Sequence, residues 1–269
     1  MKRETQLDIN KEYVREKVAN GERLDGRDFD EFRDIELEAG HIRETADGSA
    51  YVEMGDTKLI VGISTELGEP YDDSPDSGTL ITNAELGPMA SEDWEAGPPT
   101  IEAVELARVV DRGLRESSII DLEDLGIESE EKCWLLFVDI HVLDFDGNLI
   151  DASFLGAVTA LLDGSFPAYD EEEDELDRDE DGDDLPADGI PVTLTGRKIG
   201  DQLMIDTTAE EEDVETARLT VTLDDDDNLV SLQKGEDQPM SRTDVLDILQ
   251  MTEDNAEFLR ETVRDALNA

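Results

Sequence analysis

The sequence predicts an α+β fold in which a layout of strands followed by a helix is duplicated. Strand-like runs precede a helical segment at 100–120. Another strand leads into an apolar helix within 142–164, and strands at 190–235 lead into a helix from Arg242 to Leu267. Runs of strands between single helices are typical of α+β proteins, whereas a doubly wound parallel sheet alternates strands and helices.

Each element has a local signal of its own. A short helix is predicted from Asp8 to Ala19, because its apolar residues keep helical spacing. A hairpin is predicted at "SAYVEMGDTKLIVGISTEL", with its turn at Gly55 and Asp56, and a strand at "GTLITNAELGP". The helix at 100–120 begins after Thr100 with an acidic first turn.

The run "KCWLLFVDIHVLDFDGNLI" predicts a strand and a turn that lead into the apolar helix. That helix is apolar on nearly every side, which indicates that it is buried. The free N–H groups at the start of a helix are a natural anion site. Asp151 lies in that first turn, so the site either binds a phosphate or has been closed to anions.

The charge is strongly acidic. The 269 residues include 73 Asp and Glu against 22 Lys and Arg, a net charge of −51. Periodic apolar segments from end to end argue against disorder for most of the chain, so the composition indicates a folded protein with the acidic surface of salt adaptation. We expect a soluble, cytoplasmic protein, since there is no signal-peptide or membrane-spanning pattern. Cys133 is expected to be a small core residue.

An acidic low-complexity run, "YDEEEDELDRDEDGDDLP", covers residues 169–186. Because like charges repel one another, it is predicted to be an exposed, mobile loop within a single domain that spans 1–269. It lacks the spacing of a calcium loop, and His41 and His141 have no metal-type partner nearby. No metal and no cofactor are therefore expected.

Motifs for nucleophilic catalysis or nucleotide binding are absent from strand-to-helix contexts. A carboxylate cluster, Asp206 with 210–213, precedes the strand at 217–223. It is consistent with a metal site, a general acid or an acidic surface. In that strand, Leu219, Val221 and Leu223 are expected to face the core, opposite a polar side.

Three arginines share one face of the helix at 100–120, opposite its apolar stripe: Arg108, Arg112 and Arg115. They either form ion pairs with acidic neighbours on the same helix or bind an anion such as a phosphodiester backbone. The sequence alone leaves both interpretations open.

Five segments in order resemble the RNase PH-like subunits of the archaeal exosome: "RLDGRDFDEFRDI", "GDTKLIVGIS", "LARVVDRGLRES", "VLDFDGNLIDASFLGAVTALL" and "IDTTAEEEDVETARLTVT". The resemblance implies a ribosomal-protein-S5-like α+β fold, a hexameric ring and phosphorolytic degradation of RNA from its 3′ end. It also implies two kinds of ring subunit, one catalytic and one structural.

Two departures favour the structural kind. The catalytic kind has a Gly-rich loop with a Thr-Arg pair before the buried helix, but this chain has "DGNLIDAS", with Asp151 and no arginine. The catalytic kind also has an Asp at the start of a later strand, where this chain has Arg218. The resemblance therefore implies no catalytic residue, and Asp151 is expected to cap the helix.

The resemblance further implies the partners. Three copies would alternate with three catalytic subunits, RNA-binding cap subunits would join the ring, and single-stranded RNA would thread it. Arg112, Arg115 and Arg108 would then contact the RNA backbone. Two alternatives remain: the chain is itself a phosphorolytic exoribonuclease, or it is a binding protein of this fold outside any ring.

Overall fold

The computed structural model describes residues 2–170 and 175–269. A larger sheet has the strand order β1-β2-β3-β6-β4, with β5 paired to β6, and only β4 and β6 pair in parallel. Its strands are β1 (Ile35–Ala39), β2 (Gly48–Met54), β3 (Thr57–Gly68), β4 (Thr79–Leu86), β5 (Gly126–Glu128) and β6 (Lys132–Asp144).

A smaller antiparallel sheet has the order β10-β9-β11-β12, so β12 is an edge strand. Its strands are β9 (Val192–Ile199), β10 (Gln202–Met204), β11 (Ala217–Leu223) and β12 (Leu229–Gly235). Between the two sheets in sequence, β7 (Ser165–Asp170) and β8 (Glu175–Asp184) pair with each other.

Five α-helices and a short 3-10 helix at Leu122–Leu125 complete the described part of the chain. The α-helices are α1 (Lys2–Ala19), α2 (Ile101–Glu116), α3 (Leu149–Asp163), α4 (Ala209–Glu212) and α5 (Arg242–Leu267). The strand and helix layout is the α+β arrangement that the sequence predicts.

The apolar helix α3 is the centre of the molecule. Twelve of its fifteen residues are buried, as its lack of a polar face predicts. A Cβ on Gly156 would stand 2.8 Å from Val61 and 2.9 Å from Val52, so only glycine lets the helix lie this close to β2 and β3. α3 also packs on β9, and it therefore joins the two sheets.

The strand β11 is buried on both faces. Val221 and its apolar neighbours pack against α5, at Ile248 and Leu259, as predicted. The opposite side is polar, as predicted, yet Thr220 and Thr222 on it are only 3% exposed. These threonines exchange hydrogen bonds with hydroxyls on β9 under α3, so the second face is covered as well.

The acidic run 169–186 is not simply a loop. Residues 175–184 form β8, which pairs with β7, and residues 171–174 lie outside the described part. Aromatic packing holds the base of this hairpin: the rings of Trp134 and Phe166 stack with their centroids 4.7 Å apart. The Arg178 side chain also donates to the Thr65 carbonyl at 2.8 Å. These contacts at the base stabilise the hairpin against the repulsion between its like charges.

Most other local predictions are confirmed. The hairpin turns at Gly55, and Thr100 caps α2 by accepting a hydrogen bond from the Ala103 N–H at 3.2 Å. Cys133 is fully buried. The first helix is longer than predicted and begins at Lys2.

Candidate functional site

A groove between α2 and β4 contains all three predicted arginines. It has a volume of about 580 Å³ and is lined by Arg108, Arg112 and Arg115 on one side and by residues 77–82 on the other. We call it the arginine groove. The spacing of i, i+4 and i+7 on α2 puts the three side chains on the face opposite the buried stripe, as the sequence predicts.

The three arginines differ in how they are held. Arg115 donates through Nε to Asp111 at 2.8 Å and through Nη2 to the Leu80 carbonyl on β4. Arg112 donates to the neutral Gln233 amide at 2.7 Å. Arg108 is exposed and makes no ion pair or hydrogen bond within the described residues. The ion-pair interpretation therefore holds for Arg115 and leaves the other two charges unneutralised.

A second concave region, the α3 pocket, lies at the start of α3. It has a volume of about 360 Å³, and it is lined by Leu149 and Ile150 together with Arg218 from β11. The structure thus brings together the two segments in which the chain departs from the catalytic pattern. Ile150 and Arg218, which represent these two segments in the pocket, are 68 positions apart in the sequence.

Both arginines of the α3 pocket are already bound to carboxylates. Arg197, which is 3% exposed, contacts Glu215 at 2.6 Å and Glu212 at 2.5 Å. Burial alone would lower the pKa of Arg197, but these two charges outweigh it and hold that pKa above its usual value. Arg218 donates to Glu105 of α2.

The α3 pocket has an excess of negative charge. Against its two arginines stand six carboxylates: Asp93, Glu102, Glu105, Glu212, Asp213 and Glu215. A phosphate entering the pocket would find both guanidinium groups occupied and would meet uncompensated carboxylates. The anion site that the start of a buried helix could provide is therefore closed.

The prediction that Asp151 caps α3 is wrong. The N-cap residue is Asn148, with a left-handed φ of 56°. Asp151 is buried and turns toward β9, where it accepts hydrogen bonds from the Thr195 N–H at 3.0 Å and the Thr195 hydroxyl at 2.7 Å. Burial raises the pKa of Asp151 to about 6. Its role is to join α3 to the smaller sheet, and other side chains close the helix start.

Two carboxylates of the cluster near α4, Asp206 and Glu211, belong to a buried ion-pair network. Asp206 accepts from Arg33 at 2.7 Å and from Arg27 at 3.0 Å, and Glu211 pairs with Arg23 at 2.6 Å. Burial alone would raise the pKa of Asp206, but the charge and hydrogen bonds of Arg33 hold that pKa below its usual value. Asp206 and Glu211 are thus neither an acidic surface nor a catalytic acid.

Sequence reasoning did not find the arginine partners of this network, although "RLDGRDFDEFR" supplies all of them. Their separation by more than 170 residues hides the pairing. Within the described ranges, no group of three or more His, Cys, Asp and Glu is placed to hold a metal.

The two histidines lie away from both concave regions. His41 stacks on Tyr51 with ring centroids 5.0 Å apart and contacts Glu38. The side chain of His141 is exposed beside Glu85. Over the described residues, no helix has both the length and the apolar character needed to cross a membrane.

Comparison with known proteins identifies the family. Residues 31–167 match domain 1 of the 3′ exoribonuclease family, and residues 189–255 match domain 2. The chain belongs to the RNase PH family. The predicted RNase PH-like α+β fold is confirmed, with two family domains. The single domain over 1–269 stays a prediction.

Relatives within the RNase PH family cover nearly the whole chain. The exosome complex component Rrp42 of Methanopyrus kandleri is 46% identical over 260 residues, which are 96% of this chain and 97% of the relative. The exosome complex component Rrp42 of Archaeoglobus fulgidus is 48% identical over 230 residues, 85% of each chain.

Solved structures agree with this assignment to the RNase PH family. A chain of the Archaeoglobus fulgidus exosome with RNA bound to the active site matches with a TM-score of 0.88 and 45% identity, over 96% of this chain and 98% of that one. A chain of an archaeal exosome core matches with a TM-score of 0.86 and 42% identity, over 98% of this chain and 100% of that one.

Proposed function

We propose that the chain is the non-catalytic RNase PH-like subunit of an archaeal exosome. It assembles with the catalytic RNase PH-like subunit into a hexameric ring that degrades RNA phosphorolytically from the 3′ end. The observation that carries this proposal is the α3 pocket, in which both arginines are bound to carboxylates and six carboxylates line the wall. The Rrp42 relatives support it.

The pocket explains why the chain contributes no chemistry of its own. Phosphorolysis needs a bound phosphate as nucleophile, and a bound phosphate needs free donors of positive charge. Arg197 and Arg218 are the cations that line the pocket, and both are neutralised. The catalytic partner therefore supplies the phosphate site and the general acid.

The arginine groove supplies the contribution to RNA. Three arginines face two carboxylates there, Asp111 and Glu116, so the groove is locally positive on a chain of net charge −51. Guanidinium groups at this spacing bind the phosphodiester backbone of a single strand without reading its bases. Arg108, Arg112 and Arg115 hold the RNA while its 3′ end lies in the partner's active site, which is a positioning role.

The assembly follows the ring architecture of the family. Three copies of this chain alternate with three catalytic subunits, and closure of the ring leaves a central channel for single-stranded RNA. RNA-binding cap subunits sit on the ring. The chain works in the cytoplasm.

The charge fits an origin in a salt-adapted archaeon. At about 1 M salt the Debye length is about 3 Å, so the acidic surface does not repel RNA at a distance. Counterion release is also weak under these conditions, and RNA binding then depends on short, direct contacts between arginine and phosphate.

Reconstitution in molar potassium chloride tests the proposal. Degradation of a short single-stranded RNA is measured with and without phosphate for this chain alone, for the catalytic subunit of the same organism alone, and for the mixture. Light scattering gives the mass of each species. We expect a hexamer with phosphate-dependent activity in the mixture and no activity from this chain alone.

Other results would favour the alternatives. Phosphate-dependent activity of this chain alone would show that it is itself an exoribonuclease. A chain that stays monomeric beside an assembling catalytic subunit would indicate a binding protein that acts outside any ring.

A further inference from the structure

The partner of Arg112 in the arginine groove is a neutral amide. Arg112 Nη1 donates to Gln233 Oε1 at 2.7 Å. The amide oxygen must face the arginine, because a guanidinium has donors and no acceptor. A carboxylate at the same distance would also fix the guanidinium, but it would cancel its charge.

The other held arginines of the groove and the α3 pocket have charged partners. Arg115 is paired with Asp111, and in the α3 pocket Arg218 is paired with Glu105 and Arg197 with two glutamates. Arg112 is therefore both oriented and unneutralised. This combination is what a contact to a phosphodiester needs, because the guanidinium is pre-organised and its full charge remains available.

Gln233 is itself firmly placed. It lies on β12 opposite Thr220 of β11, and the hydroxyl of Thr220 is hydrogen-bonded to that of Thr195 under α3. Arg112 belongs to family domain 1 and Gln233 to family domain 2. The second domain thus supports a groove residue of the first through a rigid strand.

We propose that Gln233 is a positioning residue for RNA, which orients the Arg112 guanidinium toward the phosphate backbone and leaves its charge intact. The proposal rests on the proposed function, in which the arginine groove contacts RNA. It adds that the neutrality of the Gln233 amide determines the strength of that contact.

The decisive variant is Gln233→Glu, which keeps the shape of the side chain and adds one negative charge. Rings are assembled with the wild-type catalytic subunit, and their mass is checked by light scattering. The affinity for a labelled single-stranded RNA is then measured by fluorescence anisotropy over a range of potassium chloride concentrations. Arg112→Gln is measured in parallel as the reference for complete loss of the contact.

We expect Gln233→Glu to weaken RNA binding about tenfold, as much as Arg112→Gln does, because an ion pair replaces the phosphate contact. The slope of log affinity against log salt should fall by about 0.7, the value of one phosphate contact on a single strand. Gln233→Met leaves the charge and removes the orientation, so we expect a loss of about threefold with an unchanged slope.

A matched control is Gln202→Glu, which adds the same charge on the opposite edge strand of the same sheet. Three strand spacings, roughly 14 Å, separate the two edges. This variant should leave both the affinity and the slope unchanged. Equal losses for Gln202→Glu and Gln233→Glu would show a general charge effect and overturn the proposal.

The two proposals fail in different ways. If Arg112→Gln weakens binding and Gln233→Glu leaves affinity and slope unchanged, the positioning role of Gln233 is wrong and the groove function stands. If Arg112→Gln also has no effect, the RNA contact of Arg112 itself is wrong.

Discussion

The arginine groove and the α3 pocket lie on either side of α2, and both contain arginines, yet their electrostatics are opposite. In the groove, Arg108 has no partner within the described residues and Arg112 has a neutral one. In the pocket, Arg197 and Arg218 are both paired with glutamates. The presence of arginine therefore does not by itself define an anion site. The charge of its neighbours does.

The two regions also differ in what arginine does for the fold. The guanidinium of Arg197 is almost completely buried among carboxylates, so its removal leaves negative charges without a partner in a poorly hydrated place. In the groove, the exposed side chains of Arg108 and Arg112 have no carboxylate partner among the described residues, so their removal leaves no buried charge. Substitutions in the pocket should therefore affect stability, and substitutions in the groove should affect RNA.

The largest expected effect is on Arg197. Arg197→Met leaves the partly buried Glu212 and Glu215 without their cation, and we expect it to lower the free energy of unfolding by about 3 kcal/mol. Urea denaturation of the isolated chain in molar salt measures this. A loss below about 1 kcal/mol would mean that the pocket carboxylates are better hydrated than the structure indicates.

A smaller effect should appear in the pH dependence of stability. The pKa of Asp151 in the folded chain is about 6, above its ordinary value of 3.8. The folded state therefore holds a proton that the unfolded state has released between these pH values. Protonation of Asp151 therefore stabilises the fold at low pH. This contribution is lost as the pH rises from about 4 to about 6, and the free energy of unfolding falls by up to about 3 kcal/mol.

Asp151→Asn removes that titration and keeps a side chain able to bond Thr195. Because the rest of the acidic surface titrates equally in both proteins, the difference between their urea-denaturation curves isolates Asp151. Wild type should lose stability relative to the variant as the pH rises through this window. A constant difference from pH 4 to pH 7 would contradict the assignment.

In the groove, single substitutions should separate RNA binding from stability. Arg108→Gln should weaken RNA binding by the assembled ring about tenfold without changing stability, since no contact in the described residues is lost. Arg115→Gln should weaken binding and also lower the free energy of unfolding by about 1–2 kcal/mol, because the Leu80 carbonyl loses its donor. Anisotropy and urea denaturation measure the two quantities. Equal stability losses in both variants would erase this distinction.

The smallest effect is expected at an exposed pair on α5. Arg264 contacts Glu257 at 2.7 Å on the surface. Arg264→Gln removes the same charge as Arg108→Gln, but it should leave RNA binding unchanged and hardly change the free energy of unfolding, because the pair is exposed to solvent. A loss of RNA affinity like that of Arg108→Gln would show that net charge, and not the groove, controls binding.

The sequence predicts the features that depend on local periodicity. The hairpin at Gly55, the arginine face of α2 and the buried helix α3 follow from turn chemistry and helical spacing, and all are present. β8 was missed because its charge is typical of a loop, while its anchor, the stacking of Trp134 on Phe166, joins residues that are distant in sequence.

The candidate sites are predictable only in part, for the same physical reason. The sequence places Arg218 and the start of α3 among the important positions, but it does not show that Glu105 neutralises Arg218 from 113 residues away. It likewise suggests that Asp151 caps α3. The residue that Asp151 contacts instead, Thr195, belongs to a later strand and is not visible in the local pattern. Pairings across the fold depend on tertiary packing, which local patterns do not contain.

The most direct test of the central claim compares RNA binding by two reconstituted rings. One carries Arg108→Gln with Arg112→Gln in the groove, and the other carries Arg218→Gln in the pocket. Both are assembled with the wild-type catalytic subunit, and their affinity for single-stranded RNA is measured by anisotropy in molar potassium chloride. We predict a loss of at least about tenfold for the groove ring and a change within about twofold for the pocket ring. Equal losses, or a larger loss in the pocket ring, would contradict the claim that the groove binds RNA and the pocket is closed.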